Sequence, residues 1–334
     1  MRRVLHLGPS GSQGGMSTVM QNMVDRPPVG WEATSIGTYG ETKLRKITRW
    51  IRSRSELRNK IESGEVDLVH IHVTHSFSWW RKSGLLKICE KYEIPTVVHI
   101  HSGKFDSFCS GAAGKSVKKR LASGNVKTLV LEKRWIELLD GIIPYDSEIL
   151  SNSSLPICDR EGHQLKKSLM LLLMARKSSI KGHEFAVEIA NSLVNLGHHV
   201  QLTMTGGSQK ITDSPPELIL HSLGWVSEED KSKLIKNADF LISPSKFEGS
   251  SMSVIEAMVC GLPCIVSSTS RETVGKRKFV VESEDPEVWA DRIIHLSEKV
   301  EYENAVKETL EISEKYNPEV SRKRLGEIYD RFFD

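Results

Sequence analysis

The chain is 334 residues long, 39% hydrophobic and 27% charged, with 24 Gly and 12 Pro. That length suits two domains or one large one and excludes a small stapled module, while the composition excludes a disordered or collagen-like chain. The net charge of +3 identifies no partner, but its distribution is uneven: the basic excess lies in residues 1–165 and the remainder is net acidic. The five cysteines, Cys89, Cys109, Cys158, Cys260 and Cys264, are scattered and contain no C-x-x-C pair, so they read as reduced packing residues rather than disulfides or a zinc site. The longest apolar run, Leu169 to Ala175, is far short of the roughly 20 residues that span a bilayer, and the N-terminus runs directly into a strand. A cytoplasmic protein without a membrane span is expected.

In chain order, Arg3–Leu7 reads as a strand, Ser17–Val24 as a helix, Asp67–Val73 as a strand, Leu85–Lys91 as a helix and Thr96–His101 as a strand. Between the first two strands, residues 43–54 place Leu44, Ile47 and Ile51 at helical spacing with cations between them, a basic amphipathic helix. Such a face can be merely solvated, or it can dock on anionic lipid. The neighbouring Trp79-Trp80-Arg81-Lys82 favours a membrane surface through residues 43–60. Residues Tyr145 to Lys167 carry no sustained period and read as an inter-domain linker. The rhythm then repeats: strands at Ser168–Met174, His199–Thr205, Phe240–Ser243 and Pro263–Ser267, with helices at His183–Leu196, Lys231–Ala238 and Ser253–Val259. Two successive doubly wound parallel α/β units are predicted.

The chemistry-bearing stretch is Ser243 to Pro263, read as strand, tight loop, helix, strand. In a doubly wound sheet, ligands bind in loops leaving the carboxyl ends of strands, and Gly249-Ser250-Ser251 would lie at a helix start, where backbone N–H groups attract a phosphate. Glu248 and Glu256 bracket that loop eight residues apart and suit hydroxyl groups rather than phosphates. Phosphates flanked by hydroxyl-bearing rings describe a nucleotide sugar. The glycine run Gly8 to Gly15 fits neither G-x-G-x-x-G nor the Gly-Lys-Ser/Thr end of a phosphate loop, so neither a dehydrogenase nor a P-loop enzyme is indicated. A lone His-x-His, as at His70 and His72, is read as structural, and no metal site is expected. No nucleic-acid-binding motif accompanies the basic residues.

The segment P-S-x-x-E-G…E-A-M-x-x-G-x-P, with its E-x7-E spacing from Glu248 to Glu256, resembles the family-4 retaining glycosyltransferases of GT-B fold. Arg176 to Gly182 resembles that family's G-R-x-x-x-x-K-G segment, His101-Ser102-Gly103 its H-G step, Gly14-Gly15 its glycine loop, and Gly224-Trp225-Val226 the segment beside the nucleotide base. The resemblance implies two Rossmann-like domains facing across a cleft and closing on the donor: residues 1–155 bind the acceptor, 156–315 bind the nucleotide sugar, and a helix in 316–334 returns to the first domain. It implies Arg176 and Lys181 on the donor diphosphate, Glu248 and His101 on the donor sugar, and Glu256 on the ribose. Gly14, Gly15, Trp225, Gly249, Ser250, Ser251, Met252 and Ser253 complete the donor site. Ser250 departs from the Phe or Leu frequent in the family, and the linker lacks its N-G-V-D turn.

No D-x-D motif occurs, so transfer without a metal or other cofactor is expected. The implied activity is retaining transfer of a hexosyl group from a UDP- or GDP-sugar to a glycan or lipid-linked acceptor, in cell-surface polysaccharide or glycolipid assembly. The location is cytoplasmic, with peripheral attachment to the inner membrane face, and the oligomeric state is left open. The same donor site would serve a nucleotide-sugar 2-epimerase or a non-catalytic binding subunit.

Overall fold

The computed structural model describes residues 1–10, 14–39, 43–207 and 215–334, with the side chains of residues 43–46 outside the description. Gly11, Ser12 and Gln13 of the glycine run, and Leu44 of the basic helix, fall outside it.

The chain divides into two compact units, Met1–Asn152 with Pro318–Asp334, and Ser153–Asn317. In the first, strands β1 (Arg2–Gly8), β2 (Trp31–Gly37), β3 (Leu68–Val73), β4 (Thr96–Ile100), β5 (Val126–Val130) and β6 (Glu148–Ile149) alternate with helices α1 (Gly15–Asp25), α2 (Lys43–Glu62), α3 (Phe77–Lys91), α4 (Phe105–Cys109), α5 (Ala113–Leu121) and α6 (Lys133–Leu138). In the second, β7 (Ser168–Met174), β8 (His199–Thr205), β9 (Leu218–Ser222), β10 (Phe240–Ser243), β11 (Cys264–Ser267) and β12 (Val280–Val281) alternate with α7 (His183–Asn195), α8 (Glu228–Asn237), α9 (Met252–Met258), α10 (Arg271–Val274), α11 (Pro286–Ser297) and α12 (Lys299–Ser313). The last helix, α13 (Pro318–Asp330), belongs to the first unit.

All strand pairs in both sheets are parallel. The first sheet runs β2-β1-β3-β4-β5-β6 and the second β12-β11-β10-β7-β8-β9. Strand order therefore reverses between β1 and β3 in the first unit and between β7 and β10 in the second, the switch points where open α/β sheets bind ligands. Full burial on both faces explains the continuous apolar strands, such as Leu171, Leu172 and Leu173, each 1% exposed.

Two layers cover the first sheet. One face packs Leu5, Leu7, Val69, Ile71, Val98 and Ile100 under α2 to α6; the other packs Val4, Leu68, Val97 and Leu129 under Leu325, Ile328 and Tyr329 of α13. Trp31 Nε1 donates to Asp330 (3.1 Å) and Arg2 pairs with the same carboxylate (3.0 Å), fixing the end of that helix.

Several elements differ from the sequence expectation. Helix α3 begins at Phe77, not Leu85, because Trp79 and Lys82 turn inward and are 1% and 3% exposed. The basic helix extends to Glu62 and buries Ser53, Leu57 and Ile61, leaving Ile47 and Ile51 at 55% and 58% exposure. Its core-facing stripe is thus the C-terminal half, and the Ile47/Ile51 pair faces outward. Helix α8 starts at Glu228 because the Ser227 hydroxyl accepts from the Asp230 N–H (3.1 Å), an N-cap the apolar periodicity does not show.

Candidate functional site

The switch point of the second unit is built from loops at the carboxyl ends of β7 to β11. The β7–α7 loop, residues 175–182, and the β10–α9 loop, residues 244–251, are tied by a bond from Lys246 N–H to the Ile180 carbonyl (2.8 Å). Gly182 has φ 73°, and a Cβ there would stand 2.7 Å from the Pro244 carbonyl oxygen, so only glycine lets these loops touch. Gly206 (φ 87°) donates to the Gly224 carbonyl (2.9 Å), and Lys177 N–H donates to the Gly206 carbonyl (3.1 Å), joining the β8 and β9 loops. The hydroxyls of Ser267 and Thr269 both donate to the Ser245 carbonyl, at 2.6 and 2.8 Å.

On this frame Lys181 Nζ lies 2.6 Å from Glu248 Oε1, their side chains 24% and 9% exposed. Sequence reasoning placed both in the site but not against each other. Each Nζ carries three donors, so Lys181 can hold Glu248 and still meet an anion. Arg176 is exposed in the same loop as Lys181. Gly249 and Ser250 are partly buried and Ser251 buried; the Ser251 and Ser253 hydroxyls lie 3.2 Å apart across the start of α9, where Met252 opens the helix. That helix is seven residues long and Ser251 makes no side-chain cap hydrogen bond.

Glu256 is paired with Lys231 (3.1 Å), a residue the sequence reading missed because it lies on α8, 25 positions away. Burial raises the Glu256 carboxyl above its ordinary range while Lys231 opposes the rise. Burial pulls Lys231 down, but Glu256 and Glu228 outweigh it and leave the ammonium above its usual range. The Lys231 charge thus offsets part of the burial cost on Glu256, and the contact fixes the orientation of both side chains. Trp225, 56% exposed, stands in the loop after β9. A cavity of about 790 Å³ opens beside the same loops, lined by Lys177, Gly182, Pro244, Lys246, Thr269 and Trp289, and Lys181, Glu248 and Glu256 are not in its wall.

The remaining candidates lie in the first unit. Gly14 (φ 132°) precedes α1 and its carbonyl accepts from Ser17 N–H (2.9 Å), with Gly15 opening the helix. His101, matched above to the H-G step, follows β4 and lies in a cluster of five histidines. Parallel register sets His6 beside His70 and His72 beside His99, all on one face. His6 Nδ1 lies 3.0 Å from His72 Nε2, His72 Nδ1 lies 3.0 Å from His101 Nε2, and His70 Nδ1 meets the Tyr329 hydroxyl at 2.6 Å. Burial lowers His6 and His99 to about 3, with the His99 charge adding to the shift at His6 and the Leu150 backbone opposing it at His99. His70, His72 and His101 are held well below the usual imidazole range, by burial first, then by the neighbouring histidines and, at His101, by Lys82 as well. All five rings are therefore neutral at pH 7. Lys82 donates to the His72 carbonyl and to Ser78 Oγ, and burial, with a contribution from Arg81, pulls it down to about 7.

The fold is a two-unit α/β architecture of GT-B type. It is similar to sucrose-phosphate synthase from Thermosynechococcus elongatus (TM-score 0.77, 13% identity, covering 100% of this chain and 99% of that one) and to HepE from Anabaena in complex with UDP and glucose (TM-score 0.72, 11% identity, 99% and 100% covered). Residues 168–299 match the family described as glycosyl transferases group 1. Part of the chain is 30% identical over 129 residues to a putative glycosyltransferase, EpsF, of Bacillus subtilis, and 28% identical over 128 residues to an uncharacterized glycosyltransferase of Methanocaldococcus jannaschii. These alignments cover 36% of this chain and only 34% and 31% of the two relatives. The matched segment contains Arg176, Lys181, Trp225, Glu248 and Glu256, whereas Gly14, Gly15 and His101 lie outside it. No helix among the described residues is long and apolar enough to cross a membrane.

Proposed function

We propose that the chain is a retaining glycosyltransferase that moves a hexosyl group from a nucleotide-diphosphate sugar to an acceptor hydroxyl. The observation that carries this reading is the Lys181–Glu248 pair at the β7/β10 switch point, a cation for phosphate beside a carboxylate for sugar hydroxyls. The family match over residues 168–299 supports it.

During transfer the bond from the anomeric carbon to the diphosphate oxygen breaks, leaving negative charge on that oxygen. Lys181 offers a mobile point charge and Arg176 a planar fork for those oxygens, so both interactions strengthen as the charge develops. Glu248 accepts from donor-sugar hydroxyls and fixes the ring. Glu256, oriented by Lys231, accepts from the ribose hydroxyls, beside Trp225 near the base. The acceptor oxygen bonds to the anomeric carbon on the face the diphosphate leaves, and its proton passes to the departing phosphate oxygen. No protein base and no metal is required in this scheme.

The donor is a UDP- or GDP-sugar; UDP-glucose is tested first because of the ligands described for HepE. The acceptor is a glycan or lipid-linked glycan. Exposed Ile47 and Ile51 on α2, and Phe77 (78%) and Trp80 (49%) on α3, support contact with an anionic membrane face, the helices being joined by Trp50 Nε1 donating to the Arg81 carbonyl (3.2 Å). Trp79 and Lys82 no longer contribute to that argument. Sedimentation with vesicles should depend on anionic lipid and weaken in an Ile51→Asp variant.

The deciding experiment is calorimetric binding of a panel of nucleotide sugars and free nucleotide diphosphates in chelator, with wild type and Lys181→Ala, followed by product analysis. One tight donor that the variant loses supports the site. Binding that is equal in both proteins, or a product that is an epimerised donor, overturns the assignment.

A further inference from the structure

The first unit carries a second concentration of chemistry, of which the donor reading takes up only His101. Among the described residues, two sets of three histidines bring one ring nitrogen from each member within 4.8 Å of the others: His6, His70 and His72, and His72, His99 and His101. Ring geometry separates the two. His70 and His72 are stacked with only 5° between their planes and centroids 4.4 Å apart. Imidazole lone pairs lie in the ring plane, so two parallel offset rings cannot aim both at one ion. His70 also spends Nδ1 on the Tyr329 hydroxyl.

The second set has the opposite character. His72 and His99 are inclined by 37°, His72 and His101 by 34°, and His99 and His101 by 45° with centroids 4.1 Å apart. His72 Nδ1 and His101 Nε2 are 3.0 Å apart, close to the roughly 3.3 Å between two nitrogens each about 2.0–2.1 Å from a tetrahedral ion. Both ring nitrogens of His99 are buried and neither makes a hydrogen bond of normal geometry. The other nitrogen of His72 faces His6 Nδ1 at 3.0 Å, the outer partner that orients a ligating imidazole. His101 is only partly buried, which leaves a side of the set open.

We propose that His72, His99 and His101 form a tri-histidine site for a divalent transition metal of the zinc, cobalt, nickel or copper class, distinct from the donor site of the second unit. Three neutral nitrogen ligands without a carboxylate select these ions over magnesium, calcium or manganese. Burial keeps the rings neutral and so competent to ligate. Binding moves the proton now shared between His72 Nδ1 and His101 Nε2 to the outer nitrogens and releases none to solvent. The site clamps the carboxyl ends of β3 and β4 and leaves a fourth position for water or a ligand oxygen.

The test uses the full chain without a histidine tag, stripped with chelator and titrated with Co²⁺ and then Zn²⁺. The expected result is one equivalent bound, the visible absorption of low-symmetry tetrahedral Co²⁺, and X-ray absorption at the zinc edge fitting three imidazoles. His99→Gln should weaken binding at least ~100-fold while leaving nucleotide-sugar binding in the second unit unchanged, and His199→Ala, on an exposed strand residue, should bind metal like wild type. If His99→Gln misfolds, the imidazole count in wild type decides. No saturable binding, fewer than three imidazoles, or a His72–His101 hydrogen bond that persists by ¹⁵N NMR under excess Zn²⁺ overturns the site and leaves a chain of hydrogen-bonded imidazoles.

Discussion

The two units share an architecture and differ in what they place at the switch point of the sheet. In the second, charged side chains are held in ion pairs on the loops and the helices beside them: Lys181 with Glu248 between two loops, and Lys231 of α8 with Glu228 and with Glu256 of α9. In the first, β1, β3, β4 and the residue after β4 carry five imidazoles, with the Lys82 side chain bound to main-chain and hydroxyl oxygens beside them. The difference follows from pairing. In the second unit the largely buried carboxylates Glu248 and Glu256 each meet a lysine, whereas the imidazoles on the central strands of the first are desolvated, which favours neutral groups that bond one another. The proposed ligands follow this contrast, a nucleotide diphosphate in the second unit and a transition-metal cation in the first.

The largest expected effect sharpens this contrast. Lys181→Ala should lower kcat/KM for transfer at least ~10²-fold, about 2.7 kcal/mol of transition-state stabilisation, with little change in Tm because the side chain is partly solvated. A folded variant with near-wild-type turnover would break the assignment of charge chemistry to the second unit. Gly182→Ala comes next: the positive φ costs about 1–2 kcal/mol and the clash with Pro244 adds to it, so donor affinity and the stability of the second unit should fall together by calorimetry. An unchanged donor Kd would show that the two loops need not touch.

On the first unit, Tyr329→Phe removes the hydrogen-bond partner of His70 Nδ1 and leaves that buried nitrogen unpaired, at a cost of about 1–2 kcal/mol in denaturant unfolding. Donor binding should not change. The smallest effect concerns Glu148, which accepts from Arg324 (2.6 Å) and Arg331 (2.7 Å) of and just after α13, and pairs with Lys127 at 3.4 Å. Burial pushes its carboxyl up, but these cations outweigh it and hold the group below the ordinary range. A depressed carboxylate stabilises above its unfolded pKa of about 4.3 and loses that contribution as the pH falls through the folded value. Glu148→Gln should therefore be slightly less stable at pH 7 and show a shallower acid limb. An acid limb of the same slope would show that this network contributes nothing.

Much of the second unit was legible in the sequence, because its site is local: Arg176 and Lys181 share one loop, and Glu248 to Ser253 another. What escaped notice there was Lys231, whose solvated-looking helix gave no sign that it faces Glu256. The first unit was legible only as a rhythm. Trp79 and Lys82 read as surface residues beside a basic helix, yet the turn of α3 buries both. His-x-His in β3 reads as a structural pair, since alternation alone puts both rings on one face and says nothing of the strand beside them.

The sequence by itself determined two parallel α/β units and which charged residues share the loops of the second, since apolar runs, glycines and loop residues act over a few neighbouring positions. Only the tertiary structure decided the histidine cluster. Parallel pairing sets residues 6, 70, 72, 99 and 101 side by side, and α13 returns across more than 200 residues to pack on that face of the sheet and place Tyr329 on His70. Register and burial are properties of the assembled sheet, and no local pattern encodes them.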